Sequence, residues 1–197
     1  MKRFIYSVML LVFLSTEGSL AKNSEKLMDA CNSGDKESCY TLGLKYFDSS
    51  DMDKVVKGTI LLNQACNMNY TSACVVLGWM NYDGKIIEKS YAQAENYFWK
   101  ACELKDAGGC QGLAEMYDNG HGIDKDNNQS LIYHELACEY GSPYNCYMAG
   151  LKNEQTDTVE KNVCDAAYYY YKSCTSEIPQ GCEELERLKV HKECFEE

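Results

Sequence analysis

Apolar residues recur three and four positions apart in a series of short segments: Leu61, Leu62 and Ala65, then Ala94, Tyr97, Phe98 and Ala101, then Leu131, Ile132, Leu136 and Ala137. Polar residues fill the gaps, the pattern of helices that bury one stripe and wet the other. A second set of segments pairs an apolar residue with a small one, in Leu42-Gly43, Leu77-Gly78, Leu113-Ala114 and Ala149-Gly150. A small residue there lets a neighbouring helix come close. The two kinds of segment alternate, so the pattern predicts helical hairpins, with Asp83-Gly84 and Gly120 plus Gly122 punctuating the connections.

Cysteines mark the same period. Cys31 and Cys39, Cys66 and Cys74, Cys102 and Cys110, Cys138 and Cys146, and Cys174 and Cys182 are each eight residues apart, and the pairs recur at steps of 35, 36, 36 and 36 residues. A period of that length signals a repeat array. Between the paired cysteines, Gly34, Gly108, Gly109, Gly141, Pro143, Pro179 and Gly181 read as turn residues. A helix ending near the first cysteine and another starting near the second would bring both thiols together, so each pair is predicted to be a disulfide. Each would close a loop worth about 2.6 kcal/mol in the chain-entropy model. Cys164 and Cys194 lie 14 residues before and 16 after Ile178, the centre of the last turn. Antiparallel helices rise equally per residue, so these two are expected to meet in a sixth bond.

The organisation that follows is a single all-α domain over residues 22–197: a half-unit near residues 24–33, four helical pairs over about 35–175, and a capping helix over about 180–195. The charged run from Glu183 to Glu197 suits an end that faces water. Residues 1–21 read differently. Lys2 and Arg3 precede an apolar run from Phe4 to Leu14, and Ser19-Leu20-Ala21 supplies small residues for cleavage after Ala21, as in a secretory signal peptide. The run is short of the roughly 20 apolar residues that span a bilayer, and no later stretch reaches that length. A secreted or periplasmic location follows, where an even cysteine count reads as a disulfide framework.

Leu42-Gly43-Leu44-Lys45-Tyr46, the stretch Tyr117-Asp118-Asn119-Gly120-His121-Gly122-Ile123 followed by Asp126, and the closing Ala-Cys resemble Sel1-like repeats. With cysteines eight residues apart in every unit, the chain is similar to the cysteine-rich protein family of Helicobacter. The fourth unit departs from the pattern, with Ala149-Gly150 for Leu-Gly and no Gly-x-Gly in its loop around Gln155 to Thr158. The resemblance implies a right-handed superhelical solenoid, related to tetratricopeptide arrays, whose concave surface binds proteins or peptides. It also implies, as the runner-up, the β-lactam-binding or β-lactamase activity described for the cysteine-rich family, with a β-lactam or peptidoglycan fragment as ligand.

Placing the Leu-Gly positions at the packed face puts Tyr40, Leu44 and Phe47 on the adjoining face of the first unit. The same offsets select Val75, Trp79 and Tyr82, then Gln111, Glu115 and Asp118, then Tyr147 and Leu151. These residues are the expected partner-binding groove, aromatic at one end and acidic in the middle; the alternative is that the aromatics fill the core between units.

Charge narrows the partners. The formal net charge is −11. Loss of residues 1–21 removes Lys2, Arg3 and Glu17 and makes it −12. Nucleic acid would be repelled, and a cationic protein or peptide favoured through association rate. Catalytic residues are not identified. Ser33-Gly34-Asp35-Lys36 matches the Ser-x-x-Lys of serine β-lactamases, but it falls in a turn and has no Ser-Asp-Asn or Lys-Thr-Gly companion. His121, His134 and His191 are not spaced as metal ligands, and no Cys-x-x-Cys redox pair exists, so neither metal nor cofactor is expected. Asn69-Tyr70-Thr71 and Asn128-Gln129-Ser130 are glycosylation sequons.

Overall fold

The computed structural model describes residues 22–155, 163–176, 178–188 and 194. The expected signal segment, residues 156–158 of the fourth loop and most of the chain after Leu188 lie outside the described residues. The chain divides into two compact units between Ala73 and Cys74. The first contains α1 (22–32), α2 (Lys36–Phe47) and α3 (Met52–Asn67). The second contains α4 (Thr71–Asp83, whose first turn precedes the division), α5 (Tyr91–Glu103), α6 (Ala107–Asn119), α7 (Asn127–Glu139), α8 (Pro143–Gln155), α9 (Val163–Thr175) and α10 (Pro179–Leu188). The described residues contain no strand. None of their helices is long and apolar enough to cross a membrane.

The cysteine turns share one backbone solution. The N–H groups of Asp35, Tyr70, Asp106 and Ser142 donate back to the carbonyls of Ala30, Ala65, Ala101 and Ala137 at 2.9–3.0 Å. The residues just before those donors, Gly34, Asn69, Lys105 and Gly141, have positive φ. This is the Schellman stop, which satisfies orphan carbonyls at a helix end. Three of the expected turn glycines sit elsewhere, the first two being Gly108 and Gly109, which lie inside α6 while Lys105 takes the left-handed place. Gly109 is small for a different reason, since a Cβ on it would stand 2.5 Å from that of Ala101. Gly181 likewise lies within α10, against Ser173. Pro143 and Pro179 open α8 and α10, where a missing N–H costs no helical hydrogen bond.

Such tight turns hold the paired cysteines in bonding range. Cys31–Cys39, Cys102–Cys110, Cys138–Cys146 and Cys174–Cys182 are disulfides with Cα atoms 4.6–4.7 Å apart, and Cys164–Cys194 closes at 5.0 Å. Cys66 and Cys74 are disulfide-bonded too, so all twelve cysteines are oxidised.

Between turns, the 36-residue period gives each hairpin a buried residue at the same position, Leu62 in the first unit and Phe98, His134 and Tyr170 in the second. In the first unit Leu62 packs on Gly43 of α2. In the second, Phe98 of α5 lies between Gly78 of α4 and Gly112 of α6, where an added Cβ would approach the ring to 2.4 Å. Ala94, Leu113, Met116 and Ala137 complete this cluster, with Trp79, Tyr82 and Tyr91 packed against it. Full burial of a Phe contributes about 2–3 kcal/mol. Tyr170 repeats the motif over Gly150 of α8, so in the run Tyr168 to Tyr171 it is the core residue while Tyr168 and Tyr171 are exposed.

Candidate binding surface

Tyr40, Leu44 and Phe47 stand on α2 of the first unit, and Tyr40 packs on Tyr70 with ring centroids 4.8 Å apart. Val75, Trp79 and Tyr82 stand on α4, Gln111, Glu115 and Asp118 on α6, and Tyr147 and Leu151 on α8. All eleven are half-buried. They belong neither wholly to the core nor wholly to solvent. Trp79 shows why: its ring meets Phe98 edge-on at 4.8 Å and Tyr82 at 5.4 Å, so one side packs while the other is open.

Within the second unit the first helices of successive hairpins are joined by side chains. Tyr82 accepts from Asn119 Nδ2 at 3.3 Å, and its hydroxyl lies 2.8 Å from His121 Nδ1. His121 in turn stacks on Tyr91 at 5.1 Å. Asn145 Nδ2 of α8 donates to Gln111 Oε1 of α6 at 3.1 Å, and Lys152 of α8 is ion-paired with Asp118 of α6. Residues 34 or 37 positions apart, close to one period, therefore become neighbours on the first helices of successive hairpins.

The expected acidic middle is thereby altered. Asp118 is held by both Lys152 and His134. His134 Nε2 lies 3.2 Å from Asp118 Oδ2, and His134 Nδ1 lies 2.7 Å from Asn145 Oδ1. Asn145 Nδ2 donates to Ser142 and Gln111, which fixes its oxygen towards the imidazole. Both histidine nitrogens thus face oxygen atoms of neighbouring side chains. Burial alone would raise the Asp118 carboxyl, but the hydrogen bonds from His134 and Lys152 outweigh it and hold the group well below the usual carboxylate range. Glu115 differs. Burial pushes its carboxyl up, and Asp118 and Asp83 add to the effect against the pull of Gln111 and His134.

The sequence alone offers His134 only as a candidate metal ligand and does not show this network. The available signal was the period itself. The repeated core position reads Leu62, Phe98, His134, Tyr170 along the sequence, and the position sixteen residues earlier reads Tyr46, Tyr82, Asp118, Glu154. Polar members pair with polar ones, because Tyr170 donates to Glu154 at 2.8 Å just as His134 meets Asp118. Also unread was a ridge on α3 of Met52, Val56 and Ile60, four residues apart and exposed.

The Ser-x-x-Lys match offers no reactive serine. Ser33 Oγ donates to the Asp29 carbonyl at 2.8 Å in an exposed turn, and Lys36 is the exposed first residue of α2. Among the described residues no group of three His, Cys, Asp or Glu side chains could hold a metal ion. In the sequon at Asn128, Ser130 is fully buried inside α7. A folded chain cannot present that sequon as an extended acceptor, whereas Asn69 is exposed in its turn.

Sel1 repeats match three successive segments, residues 71–106, 107–142 and 140–176, which together cover more than half of the chain. The chain belongs to the Sel1 repeat family. Among solved structures, this Sel1 repeat protein is similar to a protective antigen of uropathogenic Escherichia coli strains that displays an SLR fold, with 26% identity and a TM-score of 0.73 over 82% of this chain and 35% of that one. It is also similar to cysteine-rich protein B of Helicobacter pylori, with 30% identity and a TM-score of 0.53 over 66% of this chain and 94% of that one. A Sel1 repeat protein from Oxalobacter formigenes shares the fold, with 23% identity and a TM-score of 0.66 over 82% of this chain and 47% of the other. The chain thus spans about half or less of the Oxalobacter and Escherichia proteins. No functionally curated protein matches it. The all-α solenoid fold class and the likeness to the Helicobacter cysteine-rich proteins both stand on these matches.

Proposed function

We propose that this Sel1 repeat protein is an exported scaffold that binds a protein or peptide across the face built by α4, α6 and α8. Sel1 repeats generally serve as protein-interaction scaffolds, and a dozen oxidised cysteines suit an extracellular or periplasmic compartment. The observation that carries the proposal is the half-buried state of Trp79, Tyr82, Gln111, Glu115 and Asp118 on helices tied to one another side by side. Partly packed aromatics offer large contact area at low entropic cost, which is why binding hot spots are rich in them. Glu115 and the excess of acid favour a cationic partner. The equivalent first-unit surface is Tyr40, Leu44 and Phe47.

The test is affinity capture of exported proteins by the oxidised chain and by a Trp79→Ala/Tyr82→Ala variant whose helicity is unchanged. The proposal expects the captured partner to be lost from the variant, with affinity that falls as salt rises. A partner retained at wild-type affinity by the variant removes the surface. Lactam hydrolysis has no supporting observation in the described residues. A chromogenic cephalosporin turned over by wild type but not by Ser33→Ala would reinstate it.

A further inference from the structure

The disulfides of this chain are not equally guarded. Every cysteine of the hairpin pairs from Cys31 to Cys146 is buried, and Cys174 and Cys182 are half-buried. Cys164, by contrast, is exposed, and its partner Cys194 is half-buried. The bonds also differ in what they join. The hairpin bonds span eight residues and lock a turn, whereas Cys164–Cys194 spans 30 and ties the chain beyond α10 back to the first turn of α9. The start of α10 is fixed independently by Cys174–Cys182 and by Gly181 seated against Ser173. Its last turn is held by Arg187, which is ion-paired with Glu154 of α8 and Glu184. Arg187 is half exposed, so this contact is weak compared with a covalent tether.

Exchange requires a thiolate to approach a sulfur in line with the bond. Solvent-facing Cys164 permits that approach in the folded protein, whereas the buried sulfurs require their hairpin to open first. We infer that Cys164–Cys194 is a thiol-exchange site, a clasp on the C-terminal helix that a dithiol reductant opens while the hairpin disulfides stay intact. One thiolate of the reductant attacks a clasp sulfur and forms a mixed disulfide, and the other cysteine sulfur leaves as a thiolate. The second thiol of the reductant then attacks the mixed disulfide. The clasp gains two electrons and ends as two thiols, and the reductant leaves as its disulfide. Opening removes the tether at the far end of α10 but leaves its start in place, so the clasp sets how firmly α10 covers α9.

The experiment treats the oxidised full chain with graded dithiothreitol under native conditions, quenches with N-ethylmaleimide and maps labelled cysteines by peptide mass spectrometry. Cys164 and Cys194 are expected to label at least about tenfold faster than any hairpin cysteine, as exposure governs exchange. Labelling that starts at a hairpin pair, or that takes all cysteines together, overturns the inference. A Cys164→Ser/Cys194→Ser variant supplies a second readout by hydrogen exchange. Amides of α10 should exchange at least about tenfold faster than in the parent while those of α6 and α7 keep their rates, as expected for local opening. Unchanged α10 exchange shows that the bond does not secure the helix, and the clasp fails.

Discussion

Replacing His134 by Phe gives the third hairpin the core residue of the second, and the structure argues that it will not accept it. Phe98 fits because Gly78 and Gly112 leave both ring faces clear, at 2.4 Å from where a Cβ would stand. One period on, those positions are Ala114 and Met148. A Phe at 134 therefore meets bulk that the second hairpin lacks, and overpacking of this kind costs about 1–3 kcal/mol. The exchange also deletes a charge-assisted contact to Asp118, and it leaves the buried Asn145 Oδ1 without its donor. Each such loss is worth about 1–3 kcal/mol. Against these stands the apolar gain of a buried ring, about 1–2 kcal/mol relative to imidazole. The net expectation is a loss of about 4 kcal/mol. Both tryptophans, Trp79 and Trp99, lie in the second unit, so their fluorescence reports its unfolding. With a urea slope near 2 kcal/mol/M, the midpoint should fall by about 2 M. A His134→Phe protein that unfolds within about 0.5 kcal/mol of the parent would refute the network as a determinant of this interface.

Other expectations follow from the same contacts. Lys105 occupies a left-handed turn position that glycine fills in two sister turns, so Lys105→Gly should stabilise the second unit by about 0.5–1 kcal/mol in the same urea assay. Asp118 has a folded pKa below its unfolded value, so its contribution is present above the ordinary carboxylate range and is lost as pH falls from about 4 downward. Asp118→Asn should accordingly lower stability at pH 7 by about 2–3 kcal/mol and flatten the acid limb below pH 4; an unchanged acid limb in the variant would show that Asp118 does not drive it.

What the sequence determined by itself was everything that repeats. Apolar spacing, cysteine period and Leu-Gly pairs specify helical hairpins and their disulfides because each is a local rule reapplied every 36 residues, and Cys164 with Cys194 follows from equal helical rise. Turn geometry was legible only in outline. Gly34 and Gly141 are left-handed turn residues, as the sequence predicts, but Gly108 and Gly109 lie inside α6, because a glycine serves a close helix contact as readily as a left-handed bend. The state of the expected groove residues is not legible in the sequence. Whether Asp118 is a free acid depends on Lys152, 34 residues away, and on His134 across a helix interface. Those pairings form only when successive hairpins stack, and only the stacked hairpins decide which half-buried side chains are spent on neighbours and which, like Trp79, keep a face open.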